Sequence, residues 1–305
     1  MNILITGSQG FLGRNLPKKL NKVGFTCYGI GRGKWKGNNH KKWGYYKNIN
    51  GTINKKNLLK FKKIKFKYLI HCAGGVSPNT SLLKSITKKI DYEKNVSSII
   101  STLNFFVHKK DLPKVILIST VSVYGNSKKK RIKEETKTKP ISNYSINKVI
   151  AENICKEYHH NKKLDFIILR GSSLYGNGLK RQIIYDVCSK IFKKNNTFYG
   201  TGNEVRDFIH IDDFTQFIKC ILIKSFNGFY IINVGSGNGI KISEVINYIK
   251  KKFKDKKKPL FNNFGSKVNP KSLIPSIVKA KKFNWSPKKD FFTGLDEYIK
   301  WFKND

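Results

Sequence analysis

Cysteine is scarce in this sequence and poorly spaced for chemistry. The thiols of Cys27, Cys72, Cys155, Cys188 and Cys220 are odd in number, and no two form a C-x-x-C pair. A disulfide framework and a thiolate zinc site are therefore both disfavoured. Adjacent His159 and His160 offer no metal site either, because neighbouring side chains on a helix point about 100° apart; they read as two exposed histidines near a helix end, and no metal is expected. Acidic residues are few, 19 against 61 Lys and Arg, for a net charge of +42. Arginine is also rare among the basic residues: Arg14, Arg32, Arg131, Arg170, Arg181 and Arg206 are all there are. Base and phosphate recognition draws on the arginine fork. Here lysines are scattered among Asn, Ile, Tyr and Phe, the pattern of a compositional bias laid over an ordinary fold. Weak, salt-sensitive sticking to polyanions is expected, and no specific nucleic-acid site. No window approaches the ~20 apolar residues needed to cross a bilayer, so no membrane span is expected. The N-terminus, MNILITGSQGFLG, carries no basic leader and no small-residue cleavage site, which predicts a cytoplasmic location.

What the chain does have is core-forming material: 39% hydrophobic residues in 305, enough for one large α/β domain and a smaller one. Short apolar runs recur at Asn2–Thr6, Phe25–Ile30, Tyr68–Cys72, Val115–Ser119, Phe166–Arg170 and Phe229–Val234, each followed by a helix-like segment. Runs this apolar suit strands covered on both faces, and their alternation with helices predicts a doubly wound parallel sheet. Ligands in such sheets sit beyond the carboxyl ends of the strands, here just after Thr6, Ile30, Cys72, Ser119 and Arg170. After Arg170 the sequence reads as loop-rich, with helices expected at Ser243–Phe253 and Thr293–Phe302; the charge run Lys250–Lys258 reads as a solvated helix end and linker. There is no internal repeat. The expected division is a dinucleotide-binding domain over 1–170, with 208–234 contributing, and a substrate domain over 171–207 and 235–305.

Gly7, Gly10 and Gly13 follow the first strand directly, in ITGSQGFLGRNL. The first permits a tight turn, the second lets the backbone approach a pyrophosphate, and the third allows close helix–strand packing. The helix N-terminus adds free N–H groups and about half a positive charge. A Rossmann-type domain follows. Pro17 falls inside that helix and should kink it or displace its start. Enzymes that use NAD place a carboxylate after the second strand for the ribose hydroxyls; this chain has YGIGRG, with Arg32 there. A guanidinium suits a 2′-phosphate, which tips the expectation from NAD towards NADP; otherwise Arg32 is an exposed loop residue.

Oxidation or reduction of a carbinol by a dinucleotide needs a base for the hydroxyl proton, a cation that makes a tyrosine acidic enough to be that base, and a group that holds the substrate oxygen. Tyr-x-x-x-Lys puts phenol and ammonium on one helix face. With 14 Tyr and so many Lys, the pattern also arises by chance. It occurs four times, at Tyr124/Lys128, Tyr144/Lys148, Tyr158/Lys162 and Tyr248/Lys252. Only Tyr144 and Lys148 open a helix that follows the strand ending at Ser119, close to the strand tips.

Together with LISTVSVYG, LRGSSLYGNG and GTGNEVRDFIHIDD in this order and spacing, these features resemble the extended short-chain dehydrogenase/reductase superfamily, in its NAD-dependent epimerase/dehydratase branch. The resemblance covers nearly the whole chain. It implies a Rossmann domain with a smaller C-terminal α/β substrate domain, a nucleotide-sugar substrate, a role in activated-sugar (surface polysaccharide precursor) metabolism, and a homodimer made through helices over Asp91–His108 and Asn143–His160. It implies Tyr144 as acid/base, Lys148 as ligand of the nicotinamide ribose, and Thr120 as holder of the substrate oxygen. The cofactor would meet Gly7, Gly10, Phe11, Leu12, Gly13, Arg32, Thr52, Cys72, Ala73, Gly74 and Asn95; the substrate would meet Thr120, Ser122, Ser172, Ser173 and, at the diphosphate, Arg206. The structural alternatives are a strand-end hydroxyl for Thr120, a pair with Asp207 or Asp213 for Arg206, and a buried helix-kink residue for Asn95.

Dehydratases of this family follow the catalytic Thr with an Asp-Glu pair that removes the C5 proton; Val121 and Ser122 stand here, which argues against dehydration. A 4-epimerase and a 4-keto reductase use the same Thr120, Tyr144 and Lys148, and the sequence does not choose between them. Three departures touch substrate and nucleotide: Ser266 and Lys267 stand where many members have a late Arg, Thr52 replaces an Asp near the adenine, and HCAGGVSP replaces the commoner loop after Cys72. Outside the enzyme class, a non-catalytic dinucleotide binder would not need Tyr144, Lys148 and Thr120, and a polyanion-binding protein is suggested by charge alone.

Overall fold

The computed structural model describes residues 1–33, 35–75, 85–127, 129–263 and 270–305, with backbone alone for 85–88. Contacts group the chain into two units. One comprises Met1–Val123, Asn143–Arg170 and Thr215–Ile232; the other comprises Tyr124–Ser142, Gly171–Phe214 and Asn233–Asp305.

The first unit is built on strands β1 (Asn2–Thr6), β2 (Thr26–Gly31), β3 (Tyr45–Asn50), β4 (Tyr68–His71), β5 (Lys114–Thr120), β6 (Phe166–Gly171) and β7 (Phe229–Val234). Their order is β7-β6-β5-β4-β1-β2-β3, and β1 pairs in parallel with both β2 and β4. Burial explains why these segments are strands. Ile3, Leu4 and Ile5, Val115, Ile116 and Leu117, and Phe166 to Leu169 are all fully buried, as expected where helices cover both faces. Each such side chain contributes about 1.5–3 kcal/mol. Strand β3 has no counterpart among the predicted runs. Its sequence, YYKNIN, buries only Tyr45 and Ile49, because an edge strand is half solvated and carries no continuous apolar run.

The helix after the glycine loop is two short ones, α1 (Phe11–Asn15) and α2 (Pro17–Asn21). Pro17 occupies the first position of α2, where its missing N–H costs nothing, and Leu16 makes the joint. Next on the helical layer come Ser85–Tyr92, a π turn at Glu93–Ser97, and α3 (Ser98–Phe106). The helix α4 (Asn143–Lys162) buries Ser145, Asn147, Lys148, Ala151, Glu152 and Cys155. Near its end His159 is not simply exposed: its Nδ1 meets the Leu164 carbonyl at 2.7 Å and its ring packs on Phe229.

In the second unit, Val205–His210 is flanked by Ser173–Tyr175, Gly239–Lys241 and Ser272–Leu273. These strands, three of them only two or three residues long, lie in the region that reads as loop from sequence; they are too short to leave a periodic signal. Tyr124–Ser142, expected within 1–170, belongs to this unit, tied in by the Ile132–Pro275 bridge. The expected helices are present as Ile242–Lys252 and Phe291–Asn304. Lys250 is not solvated as its charge run suggests: it is 4% exposed and donates to Asp255 (2.6 Å) and Asn196 (2.8 Å). Among the described residues no helix is long and apolar enough to cross a membrane.

Candidate active site

The site of the first unit starts where β1 ends. Gly7 turns the chain at φ +66°, and a Cβ there would lie 2.8 Å from the backbone nitrogen of Ala73. At Gly13 a Cβ would run into the Gly7 carbonyl and within 2.9 Å of the Ser8 Cα. Both glycines are thus required by the close approach of loop, helix and the segment after β4. Gly10 is the extended N-cap of α1 and offers no side-chain cap to the first-turn amides of Phe11, Leu12 and Gly13. Uncapped amides at a helix start are the groups that bind a pyrophosphate.

Beneath the loop runs a chain that the sequence did not announce. His71 is fully buried, with Nδ1 2.9 Å from Thr6 Oγ1 and Nε2 3.2 Å from Ser98 Oγ. Desolvation, with Lys148 adding repulsion, pushes its pKa down to about 3, so the ring is neutral. Gln9 fastens the turn after β2: its side chain donates to the Gly33 carbonyl (2.8 Å) and accepts from the Gly33 amide (2.7 Å). Arg32 stands exposed beside that turn. Thr52 is also exposed and serves a local turn, its hydroxyl accepting from Asn54 at 3.0 Å. No Asp or Glu precedes Asp91 anywhere in the chain, so β2 and β3 have no carboxylate at their tips.

The groups that the sequence suggests for proton transfer lie on β5 and α4. Lys148 is buried at 4% exposure and donates to the Ile118 carbonyl at 2.9 Å. Its ammonium lies 5.9 Å from the centre of the Tyr144 ring. Desolvation lowers its pKa to about 8, against opposing influences of Cys72, Glu152 and Cys155. Gly74 (φ +141°) makes room for it: a Cβ there would be 2.7 Å from Asn95 Oδ1 and 2.8 Å from Lys148 Nζ. Asn95 sits in the π turn and clamps the loop after β4, accepting from the Gly75 amide and donating to the Gly75 and Asp91 carbonyls. It is therefore both a helix-irregularity residue and a neighbour of Lys148's surroundings. Cys72 and Ala73 belong to the same loop; burial raises the Cys72 thiol pKa far above its ordinary value. Thr120 ends β5, and its Oγ1 accepts from the Ser122 amide at 3.2 Å and lies 3.1 Å from the Ser122 hydroxyl.

The rival Tyr-x-x-x-Lys pairs are otherwise engaged. Tyr158 donates to Asn104, and Tyr248 and Lys252 both donate to Asp296. Lys128 of the remaining pair lies outside the described residues, as do Val76, Ser77 and Pro78 of HCAGGVSP, and Ser266 and Lys267. A buried bridge also escaped the sequence. Glu152, one turn beyond Lys148, takes Arg170 in a forked pair (2.6–3.2 Å) and accepts from the Ser119 hydroxyl. Two signals for it were present: a carboxylate four residues after Lys148, and a charge ending the apolar run FIILR.

In the second unit Arg206 lies on Val205–His210, largely buried, donating to the Val205 carbonyl with Glu204 as its facing charge. Asp207 is not its partner: that carboxylate accepts from the Ser236 (2.8 Å) and Gly237 (2.5 Å) amides. Asp213 is engaged by the Lys289 amide. Burial raises the Asp207 pKa to about 6. Ser172 is buried beside Asp207, where a Cβ at Gly235 would crowd both; Ser173 opens the adjacent strand, half-buried. Among the described residues no group of three or more His, Cys, Asp or Glu is arranged to hold a metal.

Comparison with known proteins places this architecture. A sequence model of the NAD dependent epimerase/dehydratase family matches residues 3–235. The UDP-glucuronate 4-epimerase of Thermodesulfobacterium geofontis (strain OPF15) is 29% identical over 319 residues, covering 99% of this chain and 96% of its own. The crystal structure of UDP-glucuronic acid 4-epimerase from Bacillus cereus, in complex with UDP-glucuronic acid and NAD, superposes with a TM-score of 0.87 at 26% identity, covering 100% of this chain and 99% of that one. The dTDP-glucose 4,6-dehydratase of Bacillus anthracis, in complex with NAD, follows at a TM-score of 0.84 and 27% identity, covering 100% and 97%. The family match opens on the buried core of β1 and closes just past β7, spanning the seven-stranded sheet, and the chain belongs to the NAD dependent epimerase/dehydratase family.

Proposed function

We propose that this protein is a nucleotide-sugar 4-epimerase that uses a nicotinamide dinucleotide. The observation that carries the reading is the desolvated ammonium of Lys148, set one helical turn from Tyr144 beside the Gly74 and Asn95 loop. The fit to the cofactor rests on the uncapped amides after Gly10 and on the tight Gly7 and Gly13 packing. Phe11, Leu12 and Gly13 would hold the pyrophosphate; Lys148, which has two N–H donors beyond the one given to Ile118, would take the nicotinamide ribose. A bound nicotinamide would supply the hydride chemistry, acceptance from the sugar carbon and return to its opposite face. Tyr144 removes the hydroxyl proton from that carbon and later returns it. Lys148 favours the phenolate by its charge. Thr120 and Ser122 hold the oxygen being oxidised, and Arg206, with Ser172 and Ser173, takes the nucleotide-sugar, with the guanidinium on its diphosphate. Val121 and Ser122 stand where a dehydratase has carboxylates, which argues against dehydration. UDP-glucuronic acid, the sugar of the similar epimerases above, is the first substrate to try.

The first unit is the dinucleotide-binding part and the second the substrate-binding part, in a cytoplasmic homodimer. Ile90, Tyr92 and Ile146, exposed on Ser85–Tyr92 and α4, supply apolar surface for the helix pairing that such a dimer needs. A second reading, a 4-keto reductase using NADPH, draws on Arg32 and on the absence of any carboxylate before Asp91. Incubation with paired UDP-sugar 4-epimers and with their 4-keto forms, with NADH or NADPH present, tests both. Exchange of isomers without net loss of reduced cofactor is expected. Consumption of NADPH in step with product would replace the epimerase by the reductase, and no turnover of either class would leave a dinucleotide binder.

A further inference from the structure

We infer that Glu152, bridged to Arg170 and to Ser119, is a positioning residue for the reaction, holding the Tyr144/Lys148 helix in register with the tip of β5. The inference rests on the epimerase reading above. Three consecutive residues at the end of β5 have three distinct tasks: the Ile118 carbonyl accepts from Lys148, the Ser119 hydroxyl donates to Glu152, and Thr120 carries the oxygen-holding hydroxyl. Lys148 and Glu152 lie four residues apart on one buried face of α4, so strand and helix are stitched at two successive turns. Arg170 completes the arrangement from β6, giving both Nε and Nη2 to the carboxylate, with Arg170 and Glu152 each about 5% exposed. Sliding α4 by even one residue would break the bridge and leave a desolvated charge on each side, which makes the register all-or-none.

The same carboxylate acts on the charge state of the catalytic pair. Among the described residues the titratable groups that face Lys148 are Tyr144, Glu152 and Cys155 on its own helix, Cys72 in the loop after β4 and His71 on β4, while Arg170 stands behind Glu152. His71 is neutral and burial raises the pKa of both thiols. Glu152 is therefore the carboxylate that opposes the desolvation of Lys148, and the Lys148 ammonium in turn favours the phenolate of Tyr144.

Glu152→Gln keeps the shape and the hydrogen-bonding capacity while removing the charge. The expected result is a pH–rate profile for kcat whose alkaline limb, set by Lys148, moves down by about one unit, with KM within about twofold. In Glu152→Gln/Arg170→Gln, which also removes the uncompensated cation, the alkaline limb moves back towards that of the unmodified protein. A folded Glu152→Gln protein with an unshifted alkaline limb overturns the inference. Should Glu152→Gln fail to fold, Ser119→Ala, which leaves the ion pair intact, decides: kcat down by about three- to tenfold is expected, and an unchanged kcat overturns the inference. An unmodified protein that turns over no nucleotide-sugar sinks the epimerase reading instead. The titration of the Tyr144 phenol, read as the ultraviolet difference between each protein and its Tyr144→Phe form, then carries the test: a pKa shifted in Glu152→Gln and moved back in Glu152→Gln/Arg170→Gln supports positioning, and an unmoved one overturns it.

Discussion

In the proposed reaction, proton transfer comes down to one phenol and the ammonium beside it. Tyr144→Phe removes the proton acceptor while keeping the ring, and kcat for isomer exchange should fall by roughly 10²–10⁴ with NAD binding unchanged, read by turnover and by a binding titration. Gly13→Ala places a methyl against the Gly7 carbonyl and Ser8 Cα. Backbone on both sides cannot yield cheaply, so loss of dinucleotide binding and a stability loss of about 1–3 kcal/mol are expected from denaturant unfolding. His71 gives a pH signature. Its pKa is held near 3 in the folded protein, against 6.5 for the ordinary group. Below about 6.5 the unfolded chain takes up a proton that the folded chain refuses, so stability falls as pH drops from 6.5 towards 3. Unfolding midpoints measured across that window should fall less steeply for His71→Gln than for the unmodified protein.

Among the elements, legibility followed burial. β1, β5 and β6 were readable because both of their faces are covered and almost every residue in them is apolar. β3 was not, since at the sheet edge it alternates Tyr45 and Ile49 with exposed Tyr46 and Lys47. Pro17 gave a signal that the structure resolves into a joint between α1 and α2. Because Pro17 begins α2, where an amide is not needed, Pro17→Ala should change stability by no more than about 1 kcal/mol by chemical denaturation. Tyr144 was chosen over three equivalent motifs by its place at a helix start, and the rival tyrosines Tyr124, Tyr158 and Tyr248 donate to Asn233, Asn104 and Asp296. Glu152, Arg170 and His71 stayed hidden because their significance lies in partners on other strands, 18 to 65 residues away.

At the scale of the molecule the charge of +42 is the dominant fact. Like charges repel in the compact state, and salt screens them over a Debye length of about 8–10 Å at physiological strength. Raising the ionic strength from about 0.01 to 0.15 M should therefore raise Tm, read by calorimetry, and should weaken adsorption to any polyanion without sequence preference. Local order in the chain, an apolar strand, a glycine turn, a helix opening on Tyr144, was determined by the sequence alone, because each depends on neighbours within one or two turns. The tertiary structure decided what depends on segments far apart: the desolvation of Lys148, the room left for it at Gly74, the neutrality of His71 and the Ser119–Glu152–Arg170 bridge. These come from burial and from pairing across strands, and spacing along a chain does not encode the dielectric a side chain will meet.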